Sequence, residues 1–360
     1  MIYIGAEEII SPLGDTAAEN FSAMLAGRSG ISLVPGAGFN GFPLNLSKIP
    51  ALTGPRKFEK LLVSTVVSLV RNVDEGILAS DRTLLLLSST KGSLEDGIDD
   101  QFGETVKALM TRFKLVNQPV VISNACISGV LAINAGGNLI KNGFYDHIIV
   151  IGCDLISDFV LYGFQSLFAI SDQPCAPFDA ARNGITMGEG AGGVVLSNTS
   201  SIFRERPFKI LIGASANDAN HISGPSRTGE GLYRSVTKTL ESNNISAADI
   251  GFISAHGTGT IYNDEMESVA FDRLGLTNVP LNSLKGYFGH TLGAAGVIES
   301  AVSMQMMREQ MLIKSQGFND VGTTKQLNII QENNRSALHT VLKTASGFGG
   351  GNASLIIQQI

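Results

Sequence analysis

Cys126 stands in the stretch "SNACISGV" (123–130), between an apolar run ("PVVI", 119–122) and a helical pattern. A thiol at a strand-to-helix turn meets the unsatisfied N–H groups and positive dipole end of the helix, which favour a thiolate. Its small neighbours let a substrate carbonyl reach the sulfur. Cys153, in an apolar strand, and Cys175, in a Pro-flanked loop, read instead as buried structural cysteines. Two histidines stand in similar Gly-rich turns: His256 closes an apolar run and opens "HGTGT", and His290 lies in "LKGYFGHTLGAAG". His147, beside Asp146, reads as structural or exposed. A nucleophilic cysteine with histidines elsewhere in the chain suits acyl transfer. "GFGGGNAS" (347–354) is a fourth special turn. One of its N–H groups, with that of the nucleophile, can form an oxyanion hole. It is not a phosphate loop, because no GK[ST] follows and it leads into a strand.

These turns need rigid elements behind them. Continuous apolar runs read as strands covered on both faces: "TLLLLSST" (83–90), "PVVISN" (119–124), "HIIVIGCD" (147–154), "GGVVLSN" (192–198), "FKILIGASA" (208–216), "IGFISAH" (250–256) and "ASLIIQQI" (353–360). Helical patterns alternate with them at 58–73, 128–143, 231–243, 263–275 and 294–310. Asn263 is the expected N-cap of the fourth, with acids in its first turn. Such alternation argues for α/β layers.

The chain has 360 residues, too many for one ordinary core, and divides best near "NTSSIFRERP" (198–207) into halves 1–200 and 201–360. No short repeat is visible, yet two α/β halves of similar size leave room for a structural duplication. Glycine (41 residues against 11 Pro) marks many tight turns. A net charge of −6 gives no reason to expect nucleic-acid binding. Met1 runs straight into a first strand, so no signal peptide is expected. No apolar stretch reaches the length of a membrane span, so no membrane association is expected. Three cysteines without metal-type spacing fit a reducing cytoplasm and give no metal site.

Several long motifs, in order, resemble the β-ketoacyl synthases of the elongating type, in the thiolase-like superfamily. They are "GAEEIISPLGD", "NACISG", "PFDAARNGITMGEGAGGVVL", "SAHGTGTIYNDEMES", "LNSLKGYFGHTLGAAGVIES" and "ASGFGGGNASL". The resemblance implies an α/β fold, the thiolase-like five-layer αβαβα sandwich of two similar halves. It implies decarboxylative condensation of malonyl units with an acyl chain carried on Cys126. His256 and His290 would bind the malonyl thioester carbonyl, Lys285 would support the second histidine, and Glu299 would stand behind that lysine. Phe348 would complete the oxyanion hole and gate the acyl pocket. Thr258 and Thr260, with Ser223, would hold the phosphopantetheine arm, which arrives on an acyl carrier protein; no resident cofactor is implied.

The assembly implied is a homodimer, or a heterodimer with a synthase-like subunit. The contrasting possibility is a non-catalytic, chain-length-determining subunit, which generally lacks the nucleophile that this chain keeps. The chain is shorter than the usual elongating synthase, around 159–179 and before Asn117. For carrier docking the sequence offers Arg56, Lys57 and Lys60, with Arg204 and Arg206 as candidates to complete the patch.

Overall fold

A strand covered on both faces must be apolar throughout, and "TLLLLS" (Thr83–Ser88) is buried at every position. The computed structural model describes residues 1–94, 97–218 and 224–360. In chain order its main strands are β1 (Tyr3–Ile10), β2 (Thr83–Ser88), β3 (Val120–Ile122), β4 (His147–Asp154) and β5 (Gly190–Ser197), then β6 (Phe208–Leu211), β7 (Phe252–Ser254), β8 (Leu281–Asn282), β9 (Thr340–Gly347) and β10 (Gly351–Gln358). The helices are α1 (Ala17–Leu25), α2 (Lys57–Val70), α3 (Gly103–Phe113), α4 (Ser128–Lys141), α5 (Asp158–Ser166), α6 (Glu230–Asn243), α7 (Ile261–Arg273), α8 (Lys285–Phe288) and α9 (Ala295–Glu309). None of them, among the described residues, is long and apolar enough to cross a membrane.

The strand path is β8-β7-β9-β10-β6-β1-β5-β4-β2-β3. Each half has the same order. In the first, β5 pairs antiparallel with β1 and β4, and β2 lies parallel between β4 and β3. In the second, β10 pairs antiparallel with β6 and β9, and β7 lies parallel between β9 and β8. The halves join where β1 meets β6 at two residue pairs, Tyr3–Lys209 and Ile4–Phe208. Helices repeat too: α2 and α6 follow the first strand of each half, α3 and α7 the second, α4 and α9 the third.

The duplication builds five layers. α2 packs on the outer face of the first sheet, with α3 against it, and α6 covers the second, with α7 against it. Between the sheets, α4 touches β4 and β10, while α9 touches β5 and β9. α9 is accordingly buried on nearly all sides, as a helix apolar all round must be.

The two middle helices meet backbone to backbone. A Cβ on Gly129 would lie 2.8 Å from the Val297 nitrogen and 2.9 Å from the Gly296 Cα; one on Gly296 would lie 2.6 Å from the Val130 nitrogen. Only glycine allows this approach. Gly129→Val is therefore expected to lose at least about 1–3 kcal/mol of stability, read in thermal unfolding. An unchanged melting temperature would show that the helices do not need this contact.

Candidate active site

The turn into α4 projects Cys126. Ala125 takes a left-handed conformation (φ 44°), and Ser128 stitches the turn by accepting from the Asn124 N–H (2.7 Å) and donating to the Ala125 carbonyl (2.6 Å). Cys126 is 6% exposed. Gly347, at the end of β9, approaches so closely that a Cβ there would stand 3.1 Å from the Cys126 nitrogen. The next N–H, that of Phe348, lies near enough to the sulfur to favour its thiolate. His290, just before α9, places Nε2 2.9 Å from Cys126 Sγ. The His256 ring lies edge-on to His290, 5.2 Å between centroids. A cavity of about 330 Å³ opens from these three side chains and is lined also by Thr258, Thr260 and Phe348. Phe348 stacks on Phe164 at 5.3 Å.

Two carboxylates hold the His256 turn. Glu267 accepts from the N–H groups of His256 (2.9 Å) and Gly257 (2.6 Å). Asp264 accepts from Thr258 (2.9 Å), Gly259 (3.1 Å) and Phe178 (2.7 Å). Sequence reasoning read these acids only as partners of the helix dipole; their three-residue spacing, directly after "HGTGT", was the available signal. Burial pushes Glu267 up to about 7, with Asp264 beside it adding to the rise. The expected cap at Asn263 is corrected. α7 starts at Ile261 and its N-cap is Thr260, whose hydroxyl accepts from the Asn263 N–H. Thr260 also pairs with Thr258 (Oγ1–Oγ1 2.8 Å). Ser223 lies outside the described residues.

Lys285 is where geometry departs most from expectation. Its ammonium lies 3.3 Å from His256 Nδ1, 2.6 Å from the His256 carbonyl and 2.8 Å from Glu299 Oε1. Its direct contact is thus with the first histidine and not with His290, because the single turn of α8 carries it beneath the end of β7. An ammonium only donates, so His256 Nδ1 accepts and the ring proton sits on Nε2. Glu299 stands behind this lysine, as expected. Its second oxygen meets another buried lysine, Lys343, at 2.5 Å, which the sequence did not announce. Cys175 donates to the Lys285 carbonyl (3.2 Å), and Cys153 is fully buried in β4.

The expected thiolate is also corrected. Burial pushes the Cys126 thiol up to about 11, although Lys285, Lys91 and the Phe348 N–H pull the other way. Burial, reinforced by Lys285, holds both His256 and His290 well below the usual imidazole range. The resting pair is a neutral thiol donating to a neutral imidazole. The His290 proton then sits on Nδ1, which has no partner among the described residues. Cys126, His256 and His290 offer ligand atoms within 4.8 Å of one another, but the surrounding lysines oppose a divalent cation there. Asp154 anchors the approach to α9 by accepting from Gly293 (2.7 Å), Ser89 (2.9 Å) and Thr90 (3.0 Å).

The basic cluster is divided. Arg56 and Lys60 lie at the start of α2. Arg204 bonds to the Asn72 carbonyl, just beyond the other end of that helix, about 21 Å away at 1.5 Å per residue. Arg204 and Arg206 therefore do not complete the patch.

Thiolate absorbance assigned to Cys126, taken as wild type minus Cys126→Ser, is expected to stay flat through neutral pH and rise toward about 11. A midpoint below about 8.5, the value of an ordinary free cysteine, would contradict the burial argument.

Two family models match the chain: "Beta-ketoacyl synthase, N-terminal domain" over residues 109–201 and "Beta-ketoacyl synthase, C-terminal domain" over 209–319. The chain is 34% identical over 264 residues to 3-oxoacyl-[acyl-carrier-protein] synthase 2 of Rhizobium meliloti (strain 1021), a match covering 69% of this chain and 62% of that protein. It is 28% identical to the putative mitochondrial 3-oxoacyl-[acyl-carrier-protein] synthase of Schizosaccharomyces pombe, over 97% of both. Among solved structures, the ketosynthase ApeO in complex with its chain length factor ApeC, from Xenorhabdus doucetiae, superposes with a TM-score of 0.89 at 27% identity, covering 100% of this chain and 98% of that one. Cys126 falls within the first matched region and His256 and His290 within the second, and the chain belongs to the elongating β-ketoacyl synthases of the thiolase-like fold.

Proposed function

We propose that this chain is a β-ketoacyl-[acyl-carrier-protein] synthase, an acyltransferase that condenses a malonyl unit with an acyl chain held as a thioester on Cys126. The observation that carries the reading is the Cys126 sulfur 2.9 Å from His290 Nε2 with a second imidazole at its side. His290 takes the thiol proton as sulfur attacks the incoming thioester carbonyl. The N–H groups of Cys126 and Phe348 hold the oxyanion. The carrier thiolate leaves and recovers the proton. In the malonyl thioester the bond to the carboxylate carbon then breaks, CO₂ departs, and the electron pair becomes an enolate. His256 Nε2–H points that oxygen's way, and His290, once its remaining ring proton has moved from Nδ1 to Nε2, supplies a second donor. The enolate carbon attacks the acyl-Cys126 carbonyl, the C–S bond breaks, and the Cys126 thiolate takes up a proton from solvent water.

In this reading the phosphopantetheine arm of an acyl carrier protein lies along Thr258 and Thr260. No resident cofactor takes part, and the enzyme works in the cytoplasm, where its thiols stay reduced. It forms a homodimer; Val120 on the edge strand β3 and Phe168 are 44% and 95% exposed, and a partner chain would cover such apolar side chains. A heterodimer is the other outcome of a size measurement, since the ApeO ketosynthase was solved with a chain length factor. The acyl chain belongs to fatty acid, polyene or polyketide synthesis. A purely chain-length-determining subunit is disfavoured by the intact Cys126–His290 pair.

Condensation is measured as the β-keto product two carbons longer. Cys126→Ala is expected to abolish it, His256→Ala to cut it by about 10²–10³, and Cys175→Ser to retain most of it. Equal loss from Cys175→Ser would overturn the assignment of the nucleophile.

Carrier docking falls to Arg56, Lys57 and Lys60 at the start of α2. Reversing Lys57 and Lys60 to Glu is expected to raise KM for carrier-borne substrate and weaken its salt dependence, with a small pantetheine thioester unaffected. If both substrates suffer equally, this helix supports the fold and not docking.

A further inference from the structure

The reaction described above leaves the buried charge of Lys343 unused. Lys343, near the middle of β9, is fully buried. Its ammonium meets Glu299 Oε2 at 2.5 Å and donates to the carbonyls of Thr344 (2.7 Å), Ser254 (3.2 Å) and Ala255 (3.5 Å). Each group it touches is an acceptor. Glu299 and these carbonyls favour the ammonium form, while burial and the Lys285 charge push its pKa down from the ordinary lysine value. With Lys285 on the other carboxylate oxygen, the cluster holds two cations and one anion. One lysine would neutralise Glu299 and set the His256 tautomer; a second charge buried without its own counter-ion is costly.

Its position suggests what it does. Ser254 and Ala255 lead directly into His256, and β9 leads directly into the Gly347–Phe348 turn. Lys343 therefore ties together the two strand ends that present the imidazole and the oxyanion donor. The net positive charge lies behind both imidazoles, in an interior that screens poorly.

We propose that Lys343 is a positioning residue that keeps this interior net positive, so that His290 stays unprotonated and able to take the Cys126 proton in mildly acidic solution. The inference rests on the proposed acyl-transfer role of Cys126. The other charged and titratable groups around the two rings are Lys285 beside His256, Lys91 on the loop after β2, Glu299 on α9, Glu267 on α7, Asp154 at the end of β4, and the Cys126 thiol. Removing a cation here raises the imidazole pKa, so the acid limb of activity moves to higher pH.

The test is the rate of Cys126 acylation by a small acyl-pantetheine thioester as a function of pH. Lys343→Met is expected to move the acid limb up by about one pH unit, with KM little changed. Lys343→Gln keeps a donor toward Glu299 and the carbonyls without the charge. It should give the same shift, and it keeps the test alive if the methionine variant does not fold. Adding Glu299→Gln to Lys343→Met restores the net charge and should return the limb to its wild-type position, a rescue that lost packing would not produce. An unmoved limb in the folded single variants, or no return in the double variant, overturns the proposal. Wild-type protein that acylates Cys126 at no pH would refute the proposed function instead.

Discussion

The backbone contact between α4 and α9 at Gly129 and Gly296 is the constraint on which the rest of the site depends. Each helix is the third of its half, so the duplication places them as counterparts in the middle layer. Each is preceded by a turn that carries a reactive side chain: Cys126 before α4 and His290 before α9. Bringing the helix axes to glycine distance brings those turns together, and the 2.9 Å sulfur–nitrogen contact follows. The second histidine comes from the strand layer, where β7 ends at the foot of the same cavity.

Burial then decides the chemistry. The helix start alone would favour a thiolate, but exclusion from water weighs more and leaves Cys126 protonated. The same burial, with the lysines behind, keeps both imidazoles neutral. A neutral thiol next to a neutral imidazole is poised to react only when a carbonyl arrives. That arrangement protects a nucleophile from stray electrophiles and keeps the His256 Nε2–H available for an enolate. Glu299 stays ionised despite its burial, because two ammonium groups flank it.

Much of this was legible in the sequence, and the failures have physical reasons. The runs that became β2, β4 and β5 are apolar on both faces, so local composition sufficed. Cys126 could be singled out because the strand, the turn and the small residues lie side by side in the chain. β9 went unread because Lys343 and two threonines interrupt its apolar pattern; the distant Glu299 and the carbonyls of Ser254 and Ala255 make that lysine tolerable inside. The partner of Lys285 was misjudged for the same reason, since five residues of separation from His290 say nothing about a turn that points the other way. The duplication lives in strand order, which no local pattern records. The thiol's protonation depends on total burial, a property of the folded chain.

The most direct measurement is the mass of the protein after incubation with a carrier protein bearing a fatty acyl group, followed by peptide mapping. The account requires a single acyl adduct on the peptide containing Cys126, removed when malonyl carrier protein is added. No adduct, under conditions where a control synthase is acylated, would contradict it.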